Sequence, residues 1–280
     1  MKQRFANHFA SDKQSVKRLF QIAVSEFENK KAWKAINLLR RRGTREVFSS
    51  ARKLCVSPMA KEREVGVNIL AQIGSIRPVF LKQPVTLLIE RLRDSSPRVV
   101  NAAGVGLGHR NDPRAIPYLV ALKNHRDPRV RFGVAFGLAR LERPLAIQTL
   151  IELSRDEDRD VRDYSTFGLG ELIDRNTKSI RNALFARLKE RDAEIRGQAL
   201  IGLAKRKDPR VLKPLQKELM RRFQGGWSLE AAELACNPNL YPLLIGMRKH
   251  WKFPDEHWFT TSLNEAIAAC KPKKKQGNKR

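Results

Sequence analysis

Residues 160–170 read DVRDYSTFGLG, and the same pattern returns along the chain at a nearly constant distance. Each copy has a β-branched residue, an aliphatic residue eight positions later, and a small residue directly after that. The β-branched anchors are separated by 34, 31, 31 and 34 residues; they are Val65, Val99, Val130, Val161 and Ile195. Positions four, seven and eight residues apart lie on one face of a helix. The pattern therefore predicts five copies of one amphipathic helix.

Glycine also recurs in this helix. Seven residues after the anchor, four of the five copies have Gly106, Gly137, Gly168 or Gly202. Glycine in a helix interior costs about 1 kcal/mol relative to alanine. Its return at one register predicts that neighbouring helices approach each other closely there.

A second amphipathic helix follows each copy, and its leucine anchors are separated by 31, 31, 34 and 31 residues. These anchors are Leu88, Leu119, Leu150, Leu184 and Leu215. Asp-Pro-Arg occurs at 112–114, 127–129 and 208–210, where it predicts a helix start with a capping Asp and a Pro in the first turn. Strand patterns are essentially absent. We therefore predict an all-α chain of repeated helical pairs.

The repeat unit, D-x-x-V-R-x-x-A-x-x-x-L-G followed by D-P-R-A-I-P-x-L, resembles HEAT repeats of the short, phycobilisome-lyase-type class. Residues 160–170 are especially similar to a group of bacterial HEAT-repeat proteins, and residues 44–48 and 229–234 extend the similarity. The resemblance covers roughly residues 31–270. It implies a right-handed α-solenoid of about five regular helical pairs with atypical capping ends. That group has no assigned biochemical function, so the resemblance implies a fold and no activity.

Repeat pattern and composition divide the chain into four parts. Residues 1–56 are predicted to form a basic helical cap, with helices over 15–30, 32–42 and 45–55. Residues 57–223 contain the regular repeats. Residues 224–270 are predicted to form a degenerate repeat and a final cap, and residues 271–280 a disordered basic tail.

The charge of the chain is unusual: 56 Lys and Arg against 29 Asp and Glu give a net charge of +27. Residues 1–56 carry +10 of this excess and residues 271–280 carry +6. No apolar run approaches the roughly 18 residues of a membrane span. The polar N-terminus makes classical secretion an unfavoured interpretation. Three widely spaced cysteines indicate reduced thiols in a cytoplasmic protein rather than a disulfide framework or a zinc site.

Basic residues cluster at several positions, and a surface rich in Lys and Arg is typical of proteins that bind polyanions. The candidate binding residues are Lys30, Lys31, Lys34, Arg40, Arg41, Arg42, Arg187, Lys189, Arg191, Arg221, Arg222, Arg248, Lys249, Lys252, Lys273, Lys274 and Lys275. The alternative is that cations at the ends of the second helices complement helix dipoles and keep the protein soluble. We interpret the repeated Arg131, Arg162 and Arg196 as structural, paired with acids such as Asp127, Asp160 or Asp192.

Sequence signatures of enzymes are missing. The chain has no phosphate-loop, zinc-protease, nucleophile-elbow or Cys-x-x-Cys motif, and residues 104–108 (GVGLG) fall within a predicted helix. None of the five histidines begins the His-Glu dipeptide that binds iron in HEAT-repeat hydroxylases. A resemblance to HEAT-like alkylpurine DNA glycosylases would place Asp163, Tyr164, Phe167 and the tryptophans at positions 227, 251 and 258 around a lesion. Nothing marks the tetrapyrrole pocket of a bilin lyase.

These patterns predict a non-catalytic scaffold that binds a macromolecule, and the resemblance implies that the protein is bacterial. The favoured partner is polyanionic, a nucleic acid or a ribonucleoprotein. A protein–protein adaptor without a nucleic-acid role and a glycosylase-like enzyme are the alternatives. We predict no metal, no cofactor, no small-molecule ligand and no membrane span.

Overall fold

The structure is a computed structural model that describes residues 14–74, 83–221, 226–250 and 258–272. These residues form sixteen α-helices and no strand. The helices are α1 Val16–Ser25, α2 Lys30–Arg42, α3 Arg45–Leu54, α4 Ala60–Gln72, α5 Gln83–Arg91, α6 Pro97–Arg110, α7 Ile116–Val120, α8 Pro128–Leu138, α9 Pro144–Leu153, α10 Arg159–Phe167, α11 Lys178–Arg187, α12 Ala193–Lys205, α13 Leu212–Leu219, α14 Gly226–Ala235, α15 Tyr241–His250 and α16 Trp258–Cys270. The predicted all-α class is confirmed.

The chain divides into two compact units, residues 1–137 and residues 138–280. In the first unit α4 packs against α6, and α5 packs on α6. In the second unit α12 packs against α10 and α14, and α11 packs on α12. All ten anchors of the two helix series are buried. The helical period of the sequence therefore identified both helices of each pair. The division of the chain into residues 1–56, 57–223, 224–270 and 271–280 stays a prediction.

The Asp-Pro-Arg motifs begin helical segments as predicted. The side chains of Asp112, Asp127 and Asp208 each accept a hydrogen bond from the backbone N–H of the arginine two residues later. The guanidinium group of that arginine also forms an ion pair with the aspartate carboxylate. These hydrogen bonds lower the pKa of Asp127 to about 2. The first turn after Asp112 and Asp208 is a 3₁₀ turn that leads into α7 and α13.

Two helices differ from the sequence-based expectation. The first helix ends at Ser25 rather than near Lys30, because Glu28 has φ 75° and Asn29 caps α2. Helix α10 gives way to a π-helical turn over Gly168–Leu172, where Ile173 N–H donates to the Gly168 carbonyl. The GVGLG segment lies within α6, as predicted.

The predicted close approach at glycine is confirmed within each unit. A Cβ on Gly137 would lie 2.7 Å from Leu119 Cδ1, and one on Gly168 would lie 3.0 Å from Ala139 Cβ. Neighbouring helices therefore leave no room for larger side chains at this register.

Two of the three thiols are buried. Burial raises the pKa of Cys55 to about 12 and also raises the pKa of Cys270, whereas Cys236 is exposed. Because the thiolate is the nucleophile, we expect an aromatic disulfide reagent at pH 8 to label Cys236 alone in the native protein. Denaturant should expose all three thiols. Rapid labelling of more than one thiol without denaturant would contradict the burial of Cys55 and Cys270.

Candidate polyanion-binding surfaces

Many arginines bind the backbone of their own unit, which separates structural cations from candidate binding residues. Arg131, Arg162 and Arg196 each donate from Nη1 to the carbonyls five and six residues before them. They therefore hold the turn that leads into their helix. Their predicted structural role is confirmed.

The predicted acidic partners of Arg162 and Arg196 are wrong. Arg162 lies 3.5 Å from Glu190 and Arg196 lies 3.1 Å from Glu218. The expected acids bind other arginines: Asp127 pairs with Arg129, while Asp160 and Asp192 pair with Arg159. Glu190 follows the second helix α11 and Glu218 lies in the last turn of the second helix α13, and the spacing of the motif did not reveal either partner.

Two further arginine registers also bind carbonyls. Arg110 and Arg206, each eleven residues after an anchor, donate to carbonyls at the end of the preceding first helix. Arg91 and Arg187, each three residues after a second-helix anchor, donate to the carbonyls of Cys55 and Ser154. Burial lowers the pKa of Arg187, which also lies 2.8 Å from Glu190. Arg187 was a candidate binding residue, but its guanidinium group already contacts the Ser154 carbonyl and Glu190 within the protein.

The structure places the other candidates in three environments. Exposed candidates without an ion pair to any described residue are Lys30, Lys31, Lys34, Lys189, Arg191 and Lys249. Exposed or half-buried candidates with contacts inside the protein are Arg40, Arg41, Arg42, Arg221 and Arg248. Candidates outside the described residues are Arg222, Lys252, Lys273, Lys274 and Lys275.

Helix α2 gathers one of these clusters. Its thirteen residues include six cations and no carboxylate. Lys30, Lys31 and Lys34 are exposed, and Trp33 between them is 45% exposed. The Arg40 guanidinium lies 5.8 Å from the centre of the Trp33 ring and donates 2.8 Å to the Asn68 carbonyl. Burial lowers the pKa of Arg40 to about 10. Arg40 therefore supports the ring, while the lysines face solvent.

Cations and carboxylates separate in the second unit. The exposed cations on or beside its second helices α11 and α13 include Lys178, Lys189, Arg191, Lys213 and Lys217. Its first helices and their flanking turns carry most of the exposed or half-buried acids: Asp160, Asp163, Glu171, Asp174, Asp192, Glu194, Glu230 and Glu233. Four of these acids are paired with cations on these helices, Asp160, Asp192 and Glu194 with Arg159, and Asp174 with Lys205. Partial burial, with Glu230 nearby, raises the pKa of Glu171. Sequence reasoning missed this separation, although the two helix series already differ in charge along the chain.

Most described residues of the glycosylase alternative make contacts within the second unit, whereas Trp258 is 59% exposed. Asp163 accepts a 2.9 Å hydrogen bond from Gln198 Nε2, and burial raises its pKa. Trp227 packs over Gly197 so closely that a Cβ there would lie 2.7 Å from the ring. Tyr164 and Phe167 form an edge-to-face pair at 5.6 Å. These contacts are explained by packing within the second unit and do not support a lesion pocket. Position 251 lies outside the described residues.

Within ranges 14–74, 83–221, 226–250 and 258–272, no three His, Cys, Asp or Glu side chains are grouped as metal ligands are. No helix in those ranges combines the length and the apolar character that crossing a bilayer requires.

Comparison with known proteins supports the repeat assignment. A family model described as HEAT repeats matches residues 85–170 and 147–222. No curated protein matches the sequence. The crystal structure of Escherichia coli YibA is 26% identical, with a TM-score of 0.70 over 91% of this chain and 93% of that one.

Two more distant structures share the fold alone. Kap121p is 12% identical with a TM-score of 0.68, and the match covers 91% of this chain but 35% of Kap121p. The complex of CpcE and CpcF of phycocyanin lyase from Nostoc sp. PCC7120 is 12% identical with a TM-score of 0.51, over 93% and 96% of the two chains. These likenesses agree with the all-α solenoid that the sequence predicts.

Proposed function

Because residues 85–222 of this chain are HEAT repeats, we propose that the protein is a non-catalytic scaffold that binds a nucleic acid. Each unit supplies binding cations of its own, on helix α2 in the first unit and on the second helices in the second unit. The cytoplasmic location and the bacterial origin are parts of the same proposal that rest on the sequence.

The observation that carries this proposal is the position of Lys30, Lys31 and Lys34. They occupy the first and second turns of α2, where the helix dipole disfavours positive charge. No ion pair with a described residue compensates them. Folding therefore does not require these charges, in contrast to the carbonyl-bound arginines. The exposed Trp33 ring beside them offers a stacking surface, and cations with an aromatic platform suit nucleic acid.

The test is a fluorescence-anisotropy titration of duplex DNA and structured RNA at 150 mM salt. The triple variant Lys30→Gln, Lys31→Gln, Lys34→Gln should bind duplex about tenfold more weakly. Its slope of log affinity against log salt should flatten by about 2–3, since each neutralised duplex phosphate contributes roughly −0.9.

The matched control removes three exposed cations that are scattered along the chain: Lys61→Gln, Arg143→Gln and Arg155→Gln. Equal weakening in both triple variants would mean that net charge alone attracts the nucleic acid. Affinity of the wild-type protein no tighter than millimolar for both DNA and RNA would reject the proposal. It would leave the protein–protein adaptor as the function.

One observation favours that adaptor as a second candidate. The first helices of the second unit carry acids, and Tyr164 and Phe167 lie among them half-exposed. Glu230 and Glu233 on α14 have no ion pair with a described residue, so this part of the surface disfavours phosphates and suits a protein partner. Affinity purification from a lysate treated with nuclease separates the candidates, because a protein that stays bound after nuclease treatment does not need the nucleic acid.

A further inference from the structure

A cationic pocket lies in the second unit between the start of α11 and the turn that precedes α13. Its volume is about 460 Å³, and its lining includes Lys178, Arg181, Lys207, Asp208 and Arg210. Arg206 lines the same pocket. Five cations thus face one carboxylate. Sequence analysis assigned none of these residues to a site.

The one carboxylate is already neutralised. Asp208 is 4% exposed and lies 2.7 Å from Arg210 Nη2 and 3.3 Å from Arg181 Nε. Hydrogen bonds from Arg210 lower the pKa of Asp208, so it stays ionised at neutral pH. The buried acid therefore fixes two guanidinium groups beside each other and leaves a net positive charge in the pocket.

Both guanidinium groups keep hydrogen-bond donors for a ligand. An arginine has five N–H donors. Arg210 directs three of them to Asp208 and to Asn182 Oδ1. The Arg210 guanidinium also lies 4.8 Å from the centre of the Phe185 ring, which restrains its plane. Arg181 donates from Nη1 to Asn176, and its Nη2 has no acceptor among the described residues.

The remaining cations differ in what holds them. Lys178 is exposed and has no ion pair with any described residue. Lys207 reaches the Leu234 carbonyl, and Arg206 gives all five N–H donors to carbonyls. The charge of Arg206 is therefore buried without a carboxylate partner. Its field adds to that of the exposed cations, because burial weakens screening.

We propose that this pocket binds a phosphate monoester. A dianion matches the excess of positive charge, and fixed guanidinium forks are the groups that recognise phosphate oxygens. The pocket is larger than a phosphate ion, so it leaves room for the group that carries the ester. A free phosphorylated compound and the 5′ end of a nucleic acid share this chemistry; the second source rests on the proposed function.

Calorimetric titration with potassium phosphate, against potassium chloride of equal ionic strength, tests the pocket itself. We expect saturable binding to the full chain and roughly tenfold weaker binding to the double variant Lys178→Gln, Arg181→Gln. Arg210 still pairs with Asp208 in that variant. The control Arg143→Gln, Arg155→Gln removes the same charge from the two ends of α9, outside the pocket, and should bind phosphate within about twofold of wild type.

Two outcomes would contradict the proposed phosphate site: no phosphate binding beyond the chloride control, or equal losses of phosphate affinity in the two double variants. If Lys178→Gln, Arg181→Gln does not fold, the single variant Lys178→Gln replaces it. Oligonucleotides with a 5′-phosphate or a 5′-hydroxyl then distinguish the sources. Tighter binding of the phosphorylated form supports the nucleic-acid end; equal binding excludes it and leaves a free phosphorylated compound.

Discussion

Replacing Arg206 by methionine should lower the free energy of unfolding by about 3–5 kcal/mol. All five N–H groups of this 7% exposed side chain donate to carbonyls, at distances between 2.5 and 3.1 Å. Four of the carbonyls belong to helical residues or to the residue that ends the π-turn. Methionine fills the space but leaves these buried acceptors without donors, and urea unfolding measures the loss.

Two matched variants show which property of Arg206 matters. Arg206→Lys keeps the charge but has three donors on one nitrogen, which cannot reach five carbonyls, so we expect a loss of about 2 kcal/mol or more. Arg175→Ala removes an exposed arginine whose closest acid, Glu142, lies 3.7 Å away; it should cost less than about 0.5 kcal/mol. Wild-type stability of Arg206→Lys would show that charge, rather than the fork of donors, supports the turn.

The anchors show how far the sequence could predict this fold. Val161 and Leu184 belong to two series of apolar anchors that repeat along the chain. Because burial in the core causes this repetition, the positions of the helical pairs could be predicted from the sequence. The Asp-Pro-Arg starts could be predicted for a similar reason, because capping is a local interaction between residues two positions apart. The π-turn at Gly168–Leu172 could not be predicted in this way, since its carbonyls accept hydrogen bonds from Arg206, more than thirty residues later in the chain.

The roles of the cations were harder to predict. Many of the arginines bind backbone carbonyls, and every residue has a backbone carbonyl, so the sequence does not mark these partners. Arg187 and Lys189 are two residues apart, yet one binds the Ser154 carbonyl and the other is exposed. Composition counts both as positive charge. The α2 cluster could be predicted because Lys30, Lys31 and Lys34 are close in sequence. The pocket at Lys178 and Arg210 could not, because two segments about thirty residues apart form it.

Charge therefore has two uses in this chain. Buried arginines such as Arg206 donate to carbonyls within the fold, and exposed lysines such as Lys30 remain available to a partner. The net charge of +27 overstates the binding surface. Variants that remove charge without regard to this division would lower stability and affinity together.

The second large effect concerns Gly104 in α6. A Cβ at this position would lie 2.6 Å from the carbonyl oxygen of Gly133 in α8 and 2.7 Å from its carbonyl carbon. These are backbone atoms, so relief requires the two helices to move apart. We expect Gly104→Leu to lower the free energy of unfolding by about 3 kcal/mol or more, and Gly104→Ala by about 2 kcal/mol, measured by urea unfolding.

Gly246 in α15 is the matched control, because a Cβ there meets nothing within 4 Å. Gly246→Ala should stabilise the protein by about 0.5–1 kcal/mol through helix propensity and the lower entropy of the unfolded chain. The same chemical change thus has opposite signs at the two sites. Propensity alone would make both alanines stabilising, and that result for Gly104→Ala would show that the close packing of α6 on α8 does not require glycine. Loss at Gly104 with gain at Gly246 instead identifies helix–helix distance as the reason that glycine recurs in the repeat.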